Sequence, residues 1–282
     1  MNRYIVLFLS VFTLIQSCED PIDVNLPTTA PRLVIEASLD WEKGTSGNEQ
    51  SIKLSLSTPF FETETHTTVT GATVSVTNEN TGDIFAFTDQ NDGTYTTNTF
   101  VPLVNNTYRL DVAYNGENYR ATETLMPVVD IKNVTQSTED GFDDEALELN
   151  FYFDDPEDEE NHYLIKWWEQ GDKFPYFVDL SDEFSNGNEM NGFIEKMDDD
   201  EDEDGEKAFE PGDEVYVNLY GISEQYYNFM RILIEQYESQ GNPFSSSAVQ
   251  IRGNCVNPVN PDKYAYGYFR LSQVSKVSYM FQ

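Results

Sequence analysis

The chain has 282 residues, with 16 Lys and Arg against 51 Asp and Glu, so its formal net charge is −35. That balance excludes nucleic acid as a partner, because phosphate binding takes a basic footprint, and it excludes adsorption on an anionic lipid surface. Two cysteines exclude a disulfide framework or a Cys-based zinc ribbon, while 19 Phe, 17 Tyr and 3 Trp are too many aromatics for a chain disordered throughout.

Residues 1–17 read as a signal peptide. Arg3 supplies a basic start, and the apolar run Ile5–Ile15 falls short of the ~20 residues that span a bilayer. Ile15-Gln16-Ser17-Cys18 resembles the lipobox of bacterial lipoproteins, in which the Cys becomes the lipidated N-terminus. Glu19 and Asp20 follow it and resemble the acidic signal that sends Bacteroidota lipoproteins to the outer face of the outer membrane. The plainer alternative is an ordinary cleaved signal with a chance Cys at position 18. Residues 18–31, with Pro21 and Pro27 and no helical period, are expected to form a lipidated, extended tether. With Cys18 lipidated, Cys255 is the remaining thiol. No His neighbours it in sequence, so it reads as a small buried apolar residue.

From Arg32 the hydrophobic period is two. Leu33–Ala37, Ile52–Leu56, Ala72–Thr77, Ile84–Thr88, Thr94–Thr96, Tyr108–Tyr114 and Tyr119–Thr124 are strand candidates separated by polar turns. Asn115-Gly116 fits a two-residue hairpin turn. Seven short strands over residues 32–127 predict an immunoglobulin-like β-sandwich.

Residues 128–282 read as a different, less regular β-rich domain. Its strand candidates are Val128–Val134, Leu147–Phe153, Tyr163–Trp168, Val215–Tyr220, Val249–Asn254, Ala265–Leu271 and Ser275–Phe281. Residues 223–239 predict its one amphipathic helix. Ser223 is placed to cap it, and Tyr226, Phe229, Met230, Leu233, Ile234 and Tyr237 recur at spacings of three and four as a core-facing stripe. Gly241-Asn242-Pro243 would stop it. The expected fold class is therefore mainly β: an N-terminal immunoglobulin-like sandwich, then a second β-rich domain with one helix.

Two acidic runs stand out, Asp154–Glu160 and 198–206. Within the second, Asp200-x-Asp202-x-Asp204-Gly205 matches the first half of a calcium loop, where alternate carboxylates wrap a hard cation. The twelfth loop position falls on Pro211, which departs from the pattern, so a solvated acidic loop competes with a weak Ca²⁺ site there. No other cofactor is implied. His66 and His162 read as polar surface residues with no nucleophile motif to serve. Paired-carboxylate chemistry has no pair marked out among 51 acids. The chain is accordingly read as non-catalytic. The aromatic cluster Trp167, Trp168, Phe174, Tyr176, Phe177 and Phe184 is a candidate partner-binding surface, with core packing as its plain alternative.

Three stretches carry a family resemblance. One is Cys18-Glu19-Asp20-Pro21-Ile22-Asp23 leading into Leu33-Val34-Ile35-Glu36-Ala37. Another is Gly71-Ala72-Thr73-Val74 with Tyr108–Val112, Gly116 and Tyr119-Arg120-Ala121. The most specific is Gly241–Ser246 with Ile251-Arg252-Gly253-Asn254 and Gly267-Tyr268-Phe269. Together they resemble a Bacteroidota lipoprotein family known as domain of unknown function 4249. The resemblance implies a lipid-anchored outer-membrane protein, often encoded beside a TonB-dependent receptor that is the suspected partner, and it carries over no catalytic residue. The expected function is a surface-exposed, non-catalytic accessory subunit in nutrient uptake. A free-standing structural or adhesive surface protein, with Ca²⁺ as a possible ligand, is the alternative.

Overall fold

A computed structural model of the protein describes residues 30–59, 67–157, 159–183, 185–196, 207–239 and 251–282. Alternating apolar and polar side chains build the first seven strands: β1 (Leu33–Glu42), β2 (Gln50–Leu56), β3 (Thr73–Asn78), β4 (Ile84–Asp89), β5 (Thr94–Thr97), β6 (Thr107–Tyr114) and β7 (Glu117–Thr124). In β1, Leu33, Ile35, Ala37 and Leu39 are buried while Glu36 and Ser38 face outward, which is the burial pattern that period two demands. Strands β1-β2-β5 form one sheet and β4-β3-β6-β7 the other; Thr88 and Asp89 at the end of β4 also pair with β5 and join the two. This is the strand order of an immunoglobulin-like sandwich. Tyr108, at the start of the sixth strand, adds the matching tyrosine lock: its hydroxyl donates to Val101 O (2.9 Å) and accepts from Leu103 N (2.9 Å). Asn115 and Gly116 both have positive φ (49° and 78°), the two-residue hairpin turn that their sequence predicts.

The second half is more regular than its sequence suggests. It contains β8 (Asn133–Ser137), β9 (Glu148–Asp154), β10 (His162–Glu169), β11 (Tyr176–Ser181), β12 (Glu189–Glu195), β13 (Glu214–Ile222), the helix α1 (Glu224–Glu238) and β14 (Tyr266–Met280). Strands β8-β9-β12 form one sheet and β11-β10-β13-β14 the facing one. Strand for strand, this repeats the order of the first seven. Where the first sandwich has the Asn115-Gly116 turn, the second carries α1 and the segment after it. Leu149, Phe151 and Phe153 from one sheet meet Tyr163, Ile165, Trp167, Val215, Val217 and Leu219 from the other.

Three sequence assignments need correcting. Val128–Lys132 is not a strand: Val128 N donates to Gln273 Oε1 (3.1 Å) and Ile131 N to Ser275 Oγ (3.3 Å), so side chains satisfy backbone groups that a ladder would otherwise pair. Ile251–Asn254 is not a strand either; residues 249 and 250 lie outside the described residues. The two segments assigned to Ala265–Leu271 and Ser275–Phe281 are one continuous fifteen-residue strand. The first part of β14 runs parallel to β1, its second part runs antiparallel to β13, and Val274 pairs with Glu42 on one side and Tyr220 on the other.

That double pairing explains two of the family-like stretches. Gly267 has φ +88, and a Cβ there would sit 2.1 Å from Ile35 O; a Cβ on Gly253 would sit 1.6 Å from Gly267 O. Three backbones are thus stacked with no room for side chains. Asn254 fixes the stack, donating to Phe269 O (2.8 Å) and accepting from Phe269 N (2.9 Å). Cys255, Ala265, Phe269 and Leu271 join the first sandwich's core, so the last segment of the chain serves both halves.

Candidate binding face

Helix α1 begins where expected: Ser223 Oγ accepts from Tyr226 N (3.2 Å). Tyr226 and Met230 are buried against Leu164, Tyr220, Ile222, Tyr268 and Val274, with Phe229 and Ile234 packed beside them. The rest of the predicted stripe is not core. Leu233 is substantially exposed and Tyr237 is 74% exposed. Beneath the helix, the buried Arg270 guanidinium bonds Asp40 Oδ1 (2.6 Å) and lies 4.7 Å from the centre of the Tyr220 ring. Tyr268 donates to Glu123 Oε2 (3.2 Å); burial pushes the Glu123 carboxyl up from its ordinary value. This polar layer locks α1, β1, β7 and β14 together.

The structure divides the aromatic cluster. Trp167 points inward, 7% exposed, and stacks on Tyr176 with centroids 4.2 Å apart. Lys196 sits within about 6 Å of the Trp167, Tyr176 and Phe209 rings and is neutralised by Glu169 (2.8 Å) and Asp172 (3.2 Å). The two acids hold the Lys196 ammonium above its ordinary value although burial lowers it. These residues are core. Trp168 and Phe177 belong to the opposite face of the same sheet, because successive side chains alternate. Trp168 stacks on Tyr216 (5.2 Å) with Lys166 Nζ 5.5 Å from its ring. Phe177, directly opposite Lys166 in the ladder, is 38% exposed, and Phe174 in the preceding turn is 80% exposed. Phe184 lies outside the described residues. Tyr216 and Lys166 complete this face; the alternation of β10 and β13 was the signal that would have found them.

Cys18, Glu19, Asp20, His66, Asp200, Asp202 and Asp204 all lie outside the described residues. His162 opens β10 with its ring 4.7 Å from that of Tyr227. Cys255 is buried, and burial pushes its thiol up to about 12, which keeps it protonated and unreactive at neutral pH. Asp155 and Asp182 are neighbouring buried carboxyls, with Tyr163 donating to Asp155 Oδ1 (2.7 Å). A substrate has no access to a pair this deep. A polar depression of about 1050 Å³ lies on the first sandwich, lined by Ser38, Asp40, Gln50, Thr88, Gln90 and Thr96 among others. Its hydroxyls, amides and two carboxylates, Asp40 and Glu49, offer hydrogen bonds to a polar ligand. Among the described residues, no helix is long and apolar enough to cross a membrane.

A family profile described as "Domain of unknown function (DUF4249)" matches residues 19–278. No curated protein matches the chain. Among solved structures, a two fibronectin type-III domain segment from chicken tenascin is 12% identical, with 68% of this chain and 90% of that one covered at a TM-score of 0.22. A DUF4785 family protein from Legionella pneumophila subsp. pneumophila str. Philadelphia 1 is 15% identical, with 67% of this chain and 51% of that one covered at a TM-score of 0.26. The sandwich assignment rests on strand order and the Tyr108 lock, independently of either.

Proposed function

This chain belongs to the DUF4249 family, and on that premise we propose that it is a non-catalytic accessory subunit of a TonB-dependent receptor in the outer membrane of a Bacteroidota cell. In this reading Cys18 carries the lipid, Glu19 and Asp20 direct the protein to the cell exterior, and residues up to 31 tether the two sandwiches. The observation that carries the binding role is the outer face of the second sandwich, where Trp168, Phe177 and Tyr216 lie on one side of the sheet and Phe174 is exposed in the turn before β11. Two exposed phenylalanines beside a half-buried Trp–Tyr stack and a lysine are the composition of a protein-binding hot spot rather than of a solvated sheet. The net charge of −35 keeps such a face from associating non-specifically.

The test is co-purification from detergent-solubilised outer membranes. The tagged chain is expected to bring a stoichiometric β-barrel receptor with it, and Phe174→Ala/Phe177→Ala is expected to reduce the yield at least tenfold while leaving the fold intact. Recovery of the lipoprotein alone would reject the transporter role in favour of a free-standing surface protein. Equal recovery with the double variant would place the docking surface elsewhere.

A further inference from the structure

Glu148 and Glu195 are direct cross-strand partners on the outer face of β8-β9-β12. Glu148 is fully buried. Its Oε1 accepts from Ser137 Oγ, from Glu139 N (3.1 Å), from Asp140 N (2.8 Å) and from Asn150 Nδ2 (3.2 Å). Glu195 accepts from Phe142 N (2.8 Å) and Asp143 N (3.0 Å). The two carboxylates therefore pin the acidic loop that runs from Glu139 to Glu145 over the sheet. So many donors hold Glu148 ionised: although burial raises its carboxyl, the hydrogen bonds bring it below its ordinary value.

That arrangement leaves the charge uncompensated. Among the described residues, neither glutamate makes an ion pair with Lys, Arg or His. Glu148 Oε2 is buried and makes no hydrogen bond, and the same holds for Asn150 Oδ1, two residues along the same strand face. Glu148 Oε2 and Glu195 Oε1 lie 2.5 and 2.7 Å from the point where a Cβ of residue 141 would stand, so they are no more than 5.2 Å apart. Position 141 is glycine, whose backbone packs against both oxygens where any side chain would clash. Glu148 is dry and Glu195 half-buried, and two carboxylates this close repel unless a cation joins them. Every atom without a partner here is an oxygen acceptor, so the missing partner is a hard cation and not an anion or a thiol-seeking metal.

We propose that Glu148 Oε2, Glu195 Oε1 and Asn150 Oδ1 form a binding site for a divalent cation, Ca²⁺ or Mg²⁺, beneath the 139–145 loop. The protein supplies two carboxylates and one amide. No three His, Cys, Asp or Glu groups converge among the described residues, so water completes the shell, as it commonly does for Mg²⁺ and can for Ca²⁺. Bound there, the ion ties β9 to β12 and fixes the loop over them. None of its three ligands belongs to the second acidic run.

The experiment is calorimetric titration of the EDTA-stripped, purified chain with CaCl₂ and, in parallel, MgCl₂, with melting temperature followed in the same samples. One-site binding is expected, with a rise of several degrees at saturation, and the tighter of the two salts identifies the ion. Glu195→Gln is expected to weaken binding at least tenfold and, without any cation, to melt no lower than the parent chain because the repulsion is gone. Asn150→Asp, which adds a third carboxylate, is expected to bind more tightly. The triple variant Asp200→Asn/Asp202→Asn/Asp204→Asn is expected to bind as the parent does. No heat with either salt would overturn the proposal. So would a response that survives Glu195→Gln and disappears in the triple variant.

Discussion

Replacing Gly267 by alanine puts the junction between the two sandwiches under a measurable load. The new Cβ would stand 2.1 Å from Ile35 O, whereas an ordinary Cβ contact begins at 3.4 Å. The strands β1 and β14 must therefore part by about 1.3 Å, enough to break a 2.9 Å hydrogen bond. The pairs Val34↔Tyr266, Ile35↔Gly267 and Glu36↔Tyr268 flank the clash. Losing two of their bonds costs about 2 kcal/mol net, and φ near +88 costs alanine about 1–2 kcal/mol more. The expected loss is about 3–4 kcal/mol. Gly116→Ala is the control, because Gly116 has φ +78 and nothing within 4 Å, so it pays the backbone cost alone, about 1–2 kcal/mol. Urea unfolding followed by tryptophan fluorescence compares the two variants at fixed pH. Equal losses would refute the reasoning, since they would mean that β14 does not need its close approach to β1.

The aromatic face yields a second expectation. Trp167→Ala is expected to cost about 3–5 kcal/mol, as for a core aromatic, while Phe177→Ala stays within about 1 kcal/mol; thermal melts giving equal losses would undo the division between inner and outer faces. A third concerns pH. Burial, and then the neighbouring Asp182, hold the Asp155 carboxyl above its ordinary value of 3.8, against donors from Tyr163 and Gly187. A carboxyl raised in the folded state contributes stability that is complete below 3.8 and is lost as pH rises through the raised value. The urea midpoint of Asp155→Asn should therefore gain on that of the parent as pH rises from about 4 towards neutrality; parallel profiles would show that Asp155 titrates normally.

Local sequence was enough for the first sandwich. Each of its strands has one buried and one wet face, so alternation marked Ile52–Leu56 or Tyr108–Tyr114 directly, and Asn115-Gly116 named its own turn. The helix was equally legible in its cap, and in Tyr226 and Met230. Its last turns were not, because an apolar residue at helical spacing shows which way it faces and not whether anything covers it. Leu233 and Tyr237 are the result. The aromatic cluster failed as a unit for the opposite reason: Trp167 and Trp168 are adjacent in sequence, and a strand sends neighbours to opposite faces.

The sequence by itself determined that this is a mainly β protein, very acidic, with one capped amphipathic helix. Only the tertiary structure decided that the second half repeats the first. The later part of β13 (217–222) and the early part of β14 (268–272) are buried on both faces, under α1 on one side and in the sandwich on the other, so alternation is lost there. The half-exposed strands β11 and β12 carry little pattern at all. Pairing of β14 with β1 joins residues more than two hundred positions apart, and its pairing with β13 joins residues more than fifty apart. The meeting of Glu148 with Glu195 likewise depends on ladder register, which no local spacing encodes.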